Sequence, residues 1–197
     1  MRPWPPNLSK GPAGVLQFSG RLARVPPALS TQTHRINVFV RYFVELPLPA
    51  SAVDDALNRI PAAWLVGMAR EAQVLAESLL LEAGVDLGAQ RAGSAVDLAM
   101  AVPIRLGSST VRRMTWSAVD GARSLPIFRG EIEIARVGHN GAQLSVSGRY
   151  WPPSGSVRLA SDRAIVLRAG EATLHEFLDR LASAVTMADQ LVHYRAV

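Results

Sequence analysis

The sequence of 197 residues predicts an α+β fold, in which a curved antiparallel sheet is closed by one long C-terminal helix. Three observations predict this class. A strand-like segment and two helical segments open the domain, and four strand-like segments separated by short turns occupy residues 94–150. Apolar residues then recur every three or four positions from near Ser156 past Val185, which is the period of a helix.

Residues 36–46 alternate in character, which predicts the first strand. Phe39 and Phe43 make the second face of this strand partly apolar, so we expect both of its faces to be covered. The first face carries Ile36, Val38, Val40, Tyr42, Val44 and Leu46.

Two helices are predicted after this strand. Ser51 followed by Asp54 resembles a capping box, which predicts the start of a short helix that Pro61 interrupts. A second helix is predicted over residues 62–83, with Gly84 as its C-terminal stop. Its apolar positions at helical spacing are Trp64, Leu65, Met68, Ala72, Leu75, Leu79 and Ala83.

An antiparallel meander is predicted over residues 94–105, 110–119, 127–137 and 142–150, because turn sequences separate these strands. The turns are Gly107-Ser108-Ser109, Asp120-Gly121 and Asn140-Gly141. We expect the long helix to cover the apolar face of the meander. That face carries Val96, Leu98, Met100, Val102, Ile104, Met114, Trp116, Phe128, Ile132, Ile134, Leu144, Val146, Gly148 and Tyr150.

The positive charge of the chain is confined to its first residues. Residues 1–35 hold five cations and no acid, which leaves 16 of the 21 basic residues to balance the 16 acidic residues. A nucleic-acid-binding domain concentrates cations on its folded surface, so no nucleic-acid partner is predicted. Lys10 is the only lysine, and this arginine bias, with abundant alanine and glycine, indicates a GC-rich, bacterial coding sequence.

Three segments are expected: an N-terminal extension at 1–35, one domain at 36–188 and a C-terminal tail at 189–197. The extension contains six prolines and no sustained period, which predicts a flexible segment. Two other interpretations remain open. The extension docks on the domain through apolar residues such as Phe18, or it is a targeting or acidic-partner arm.

Cysteine is absent, which excludes disulfides, thiol catalysis and cysteine-ligated metals. This agrees with a reducing compartment, and we expect a cytoplasmic protein. No charge-free stretch exceeds about ten residues, whereas a membrane helix needs about 20, so no integral membrane segment is predicted. Monomer and dimer both remain open.

Several segments of the sequence resemble the START-like (SRPBCC) superfamily, in particular its uncharacterised bacterial members. The resemblance covers about residues 36–188 and is sharpest in 125–133 (LPIFRGEIE), 144–155 (LSVSGRYWPPSG) and 171–181 (EATLHEFLDRL). It implies the helix-grip fold, with a cavity between sheet and long helix. The superfamily uses that cavity for lipids, sterols, polyketides or aromatic compounds. Some members cyclise polyketides, and others act by protein contact.

No catalytic or metal-binding motif is present. His175-Glu176 begins like a zinc-protease motif, but Asp179 stands where the second histidine is needed. Glycine fingerprints for nucleotides and the Gly-x-Ser-x-Gly elbow are also absent. We therefore predict no catalytic residue, no metal and no cofactor, and an enzyme is the less favoured interpretation.

Eight residues are the candidate lining of the cavity, because methionine and aromatic side chains adapt to varied apolar ligands. The alternative is that these residues are simply core. For Arg112 the alternatives are a solvated rim position and a contact with a ligand carboxylate. The candidates are Trp64, Met68, Met100, Arg112, Met114, Trp116, Phe128 and Tyr150.

Three functions are compatible with these patterns. The favoured one is a carrier or sensor that binds a hydrophobic small molecule, lipid-like, polyketide or aromatic. The second is a cyclase- or aromatase-type enzyme, which requires at least two of Tyr150, Arg112 and Glu131 to converge in the cavity. The third is a protein-interaction module without a ligand, which filled packing would favour.

Overall fold

The computed structural model describes residues 37–85, 96–118, 127–151 and 162–195. Within them the chain forms six strands and three helices. These are β1 (Val38–Leu46), α1 (Ala50–Arg59), α2 (Ala62–Glu82), β2 (Val96–Met100), β3 (Ile104–Leu106), β4 (Ser109–Ala118), β5 (Ile127–Val137), β6 (Gly141–Trp151) and α3 (Asp162–Arg195).

The six strands form one antiparallel sheet in the order β1-β6-β5-β4-β2, and β3 pairs with β4. Strands β4, β5 and β6 are therefore neighbours in both sequence and space, as a meander requires. The long helix α3 packs against β1, α1 and α2. This architecture confirms the predicted α+β helix-grip fold.

One face of α3 forms the centre of the core, as its three-to-four-residue period predicts. The opposing core surface comes from the apolar face of β4, β5 and β6. The fully buried α3 residues are Val166, Leu174, Phe177, Leu178, Leu181 and Val185.

The start of α1 differs from the prediction. The helix begins at Ala50 with Pro49 in the N-cap position, and no side chain makes a capping hydrogen bond. The capping box at Ser51 and Asp54 is therefore wrong, because the Asp54 carboxylate pairs with Arg112 of β4 instead.

The end of α2 agrees with the prediction. Gly84 has a positive φ of 78°, its N–H donates to the Leu81 carbonyl, and the Val85 N–H donates to the Leu80 carbonyl. These two bonds satisfy carbonyls that the end of a helix leaves free.

The rotation of α2 about its axis was predicted incorrectly. Trp64 and Leu75 are exposed, while alanines at other positions are buried. The helix has apolar side chains on most of its circumference, so their spacing alone does not select the buried face. The buried face carries Leu65, Ala69, Ala72, Gln73, Ala76 and Leu80.

The strand predicted over 94–105 is divided into β2 and β3. Residues 101–103 lie between them, because Pro103 has no N–H to donate to a sheet. Val102 and Ile104 are exposed, at 82% and 53%, so the prediction that they share the buried face is wrong.

Two further details of the sheet differ from the predictions. In the β5–β6 turn the glycine with a positive φ, 62°, is Gly138 rather than Gly141. Phe39 and Phe43 of β1 are exposed, so the second face of this edge strand is not covered within the described residues.

Some predicted features lie outside the described residues. These are the extension at 1–35, the turn at Asp120-Gly121 and the start of the long helix near Ser156.

Candidate functional site

Five large side chains form one continuous row across the concave face of the sheet. The strand registers place Val38 opposite Tyr150, Tyr150 opposite Phe128, Phe128 opposite Trp116, and Trp116 opposite Leu98. Since alternate residues of a strand share a face, all five point towards the helices. This aromatic row is the centre of the candidate site.

The Phe128 ring extends from this row over two glycines of the next row. Gly130 pairs with Gly148, and a Cβ on Gly148 would lie 2.8 Å from Phe128 Cζ. The two glycines therefore make room for the ring to lie flat against the sheet. Met114 and Met100 lie on the row of these two glycines; Met114 is buried and Met100 is half-buried.

Helix α3 contacts the aromatic row at two points. The rings of Trp116 and Phe177 are 5.7 Å apart between centroids. A Cβ on Gly170 would lie 3.1 Å from the Tyr150 ring, so this glycine allows α3 to approach the row closely.

A polar cluster lies beside the row, where the sheet meets α2 and α3. Gln73 Nε2 donates to Glu77 Oε1 at 2.8 Å, and Thr173 Oγ1 donates to the Ala169 carbonyl at 2.7 Å. Burial raises the pKa of Tyr150 far above its ordinary value. The Thr173 hydroxyl lies close enough to offset this in part, although Tyr150 OH makes no hydrogen bond of good geometry with it, and the Glu77 carboxylate adds to the rise in the pKa. Tyr150 therefore keeps its proton at neutral pH.

Three buried polar atoms of this region have no hydrogen-bond partner among the described residues. They are Tyr150 OH, Trp116 Nε1 and Gln73 Oε1; a fourth such atom, Arg112 Nε, lies two rows further along the concave face. The exposed fractions of these residues are 1%, 1% and 5%. Buried polar atoms are normally hydrogen-bonded in folded proteins, so three on one side of a sheet need an explanation.

Sequence reasoning identified the aromatic row but missed the polar cluster. Trp116, Phe128 and Tyr150 follow from strand alternation. Gln73 was missed because the predicted helix was described by its apolar positions alone, and Gln73 is polar. The available signal was its helical spacing from Leu65, Ala69, Ala76 and Leu80, which becomes visible once the rotation of α2 is known.

Arg112 is buried, and its guanidinium is bonded to α1. Its Nη2 donates to Asp54 Oδ1 at 2.5 Å and to Asn58 Oδ1 at 2.9 Å, and only 6% of the residue is exposed. The solvated-rim interpretation is therefore wrong. The guanidinium instead ties α1 to β4.

Trp64 and Met68 lie away from the aromatic row. They line a surface groove of about 550 Å³ between α2 and the C-terminal half of α3, together with Met187. Trp64 is 58% exposed. The structure thus brings Met100, Met114, Trp116, Phe128 and Tyr150 together. Arg112 follows Met114 on the same face of β4 but is bonded to α1, and Trp64 and Met68 lie in the surface groove.

The residues that a cyclase would need do not converge. Tyr150 and Arg112 lie on different rows and are separated by strand β5. Glu131 pairs with Arg113 and Ser147, and strand alternation places it on the opposite face of the sheet from Ile132. The requirement for two converging groups is therefore not met.

A larger surface groove, of about 860 Å³, lies over the first half of α3, between β1 and the end of α2. Within it the Tyr42 and His175 rings meet edge to face at 4.4 Å, and His175 Nε2 lies 3.2 Å from Asp179 Oδ2. Burial raises the pKa of Tyr42, and the Asp179 carboxylate adds to this. Charges of both signs line the groove: Arg41, Arg168, Glu82 and Glu171.

The described ranges contain no group of three or more His, Cys, Asp or Glu side chains placed to hold a metal ion. No helix in the same ranges has the length and apolar character to cross a membrane.

Comparisons with known proteins find similarity in structure alone. No family model matches the sequence, and no curated protein matches it. A conserved protein from Geobacillus kaustophilus is similar in structure, with 10% identity, a TM-score of 0.45, and coverage of 78% of this chain and 97% of that chain. A Streptomyces aromatase/cyclase gives 12% identity, a TM-score of 0.33, and coverage of 80% and 96%. Norcoclaurine synthase from Thalictrum flavum has 15% sequence identity and a TM-score of 0.31, and the match covers 91% of this chain and 98% of that chain.

The order of the elements, the antiparallel sheet and the long C-terminal helix define a helix-grip protein. This is the fold that the resemblance to the START-like superfamily implies.

Proposed function

We propose that this protein binds a hydrophobic small molecule, lipid-like, polyketide or aromatic, as a carrier or sensor. The proposed site lies between the concave face of the sheet and helices α2 and α3. Its lining is Met100, Met114, Trp116, Phe128 and Tyr150, five of the residues that the sequence selects.

The observation that carries this proposal is the set of three unpartnered polar atoms, on Tyr150, Trp116 and Gln73. An unsatisfied buried polar atom costs about 1–3 kcal/mol, so such atoms are rarely retained without a use. Apolar and aromatic surface with a few convergent polar groups is the usual composition of a small-molecule site. A ligand that offers hydrogen bonds would satisfy these atoms.

The test is energy transfer from tryptophan to the neutral apolar fluorophore N-phenyl-naphthylamine. We expect saturable binding of one molecule per chain, with transfer that falls strongly in Trp116→Phe. Trp64→Phe is the matched control, because it removes a tryptophan from the surface groove between α2 and α3. We expect this control to retain most of the transfer.

Two results would count against the proposal. The first is no saturable binding, together with no thermal shift across a panel of neutral lipids, sterols and polyketide aromatics. The second is transfer that disappears in Trp64→Phe and persists in Trp116→Phe, which would assign binding to the surface groove instead.

A further inference from the structure

The orientation of the Gln73 amide determines what a ligand must offer at that point. An ionised carboxylate accepts hydrogen bonds and donates none. Because Glu77 Oε1 lies 2.8 Å from Gln73, the amide nitrogen must face it, and this leaves Gln73 Oε1 as the free buried atom. A carbonyl oxygen accepts only, so the ligand has to bring a donor to Gln73.

The other two unpartnered groups have the opposite polarity. An indole N–H donates only, so Trp116 Nε1 needs an acceptor. The Tyr150 phenol keeps its proton because burial disfavours the phenolate, and it too is a donor. The neighbouring Thr173 hydroxyl donates to the Ala169 carbonyl and makes no hydrogen bond of good geometry with the phenol, so the Tyr150 proton remains available to an acceptor on a ligand.

The electrostatics of the cluster disfavour an anionic ligand. The charged side chain that acts on the Tyr150 phenol is the Glu77 carboxylate. Arg112, the buried cation of the concave face, lies two rows from Trp116 on β4; its Nη2 is bonded to Asp54 and Asn58 of α1, and its Nε has no partner among the described residues. A second carboxylate placed beside Glu77 would lose its hydration and gain no cation, which is costly in a buried site.

We infer that the ligand is an uncharged apolar molecule that carries both an acceptor and a donor. Its carbonyl or ether oxygen would accept from Tyr150 and Trp116, and its hydroxyl or N–H would donate to Gln73. This inference rests on the proposed function, and it separates neutral hydroxy-carbonyl compounds from fatty acids and other carboxylates.

Four naphthalene probes of similar size test this pattern by calorimetry on the full chain at slightly acid pH. They are methyl naphthyl ketone (an acceptor), naphthol (a donor), hydroxynaphthyl methyl ketone (both) and hydroxynaphthoate (an anion). We expect the ketone that also carries a hydroxyl to bind most tightly and the naphthoate most weakly, with a difference of about tenfold or more.

Two variants assign the contacts. Tyr150→Phe should weaken the affinity for the simple ketone about tenfold and change the affinity for naphthol by less than about threefold, because it removes a donor only. Gln73→Met should weaken the affinity for naphthol about tenfold and change the affinity for the simple ketone by less than about threefold, since it removes the acceptor. Tyr42→Phe is the matched control, because it deletes a tyrosine hydroxyl in the surface groove, and it should change neither affinity. Circular dichroism and thermal unfolding verify that each variant is folded.

The outcomes separate the two proposals. If no neutral probe binds the wild-type chain, the proposed function fails and this inference fails with it. If neutral probes bind but the naphthoate binds equally well, or if both variants weaken all probes alike, the inference fails while the proposed function stands.

Discussion

Arg112 illustrates how one residue acquires its role from contacts that the sequence does not show. A buried guanidinium is costly to desolvate, and this cost is offset only if its partners are close and well placed. Asp54 and Asn58 lie one helical turn apart on α1, so both oxygens face the same strand. The hydrogen bonds from Arg112 to these two residues therefore link α1 to the sheet.

We expect Arg112→Met to lower the free energy of unfolding by about 3 kcal/mol, because it leaves the half-buried Asp54 carboxylate without its cation. The measurement is urea denaturation followed by circular dichroism.

The control for this prediction replaces both partners. The double variant Asp54→Leu with Arg112→Met should recover most of the loss, since apolar side chains of similar volume remove the unpaired charge. A loss below about 1 kcal/mol in Arg112→Met would mean that the ion pair contributes little to the attachment of α1.

The central element of the fold is the strand pair β5–β6, which depends on two facing glycines. A Cβ on Gly148 would lie 2.5 Å from both the Arg129 carbonyl oxygen and the Gly130 Cα. A Cβ on Gly130 would collide with the Ser147 carbonyl oxygen. Because these neighbours are backbone atoms, neither contact is relieved by a change of rotamer.

We expect Gly148→Ala to destabilise the protein by about 2–3 kcal/mol, since the strands must separate locally to admit the methyl group. Gly67→Ala is the control of opposite sign. Gly67 lies inside α2, and apart from the backbone of that helix a Cβ on it would have no neighbouring atom within 4 Å. Alanine should therefore stabilise the helix by up to about 1 kcal/mol. Thermal unfolding of both variants measures the two effects, and equal effects would contradict this prediction.

Strand alternation and turn sequences determine elements well in this chain, and helix rotation less well. β5 coincides with its predicted range of 127–137, and Gly84 ends α2 as expected. Both depend on local chemistry. The buried face of α2 depends on its contact with α3, which no local pattern encodes, and Gln73 was missed for that reason. The site could thus be predicted on the strand side and not on the helix side.

The composition of the whole molecule makes its alkaline behaviour simple to interpret. The chain has three tyrosines and a single lysine, Lys10, while its arginines stay charged to well above about pH 12. Few groups therefore titrate between about pH 10 and pH 12. Tyr150 is the fully buried tyrosine among the described residues, and burial raises its pKa above the ordinary value of about 10.

We expect the free energy of unfolding to fall as pH rises above about 10, by up to about 1.4 kcal/mol per pH unit. There the unfolded chain releases the phenol proton while the folded chain retains it, so the unfolded state binds fewer protons and gains stability with pH. Below about pH 10 both states are protonated and the contribution of Tyr150 to the slope vanishes.

Urea midpoints between about pH 9 and pH 11.5 measure this slope. Tyr150→Phe should remove most of it, and at neutral pH it should cost little, because the deleted hydroxyl has no partner among the described residues. Tyr194→Phe, which alters an 85% exposed tyrosine, should keep the wild-type slope. An unchanged slope in Tyr150→Phe would mean that the phenol is accessible to solvent, and it would remove Tyr150 from the interior site. A reduced slope would agree with a dry, protonated donor on the aromatic row, which is the state that ligand recognition requires.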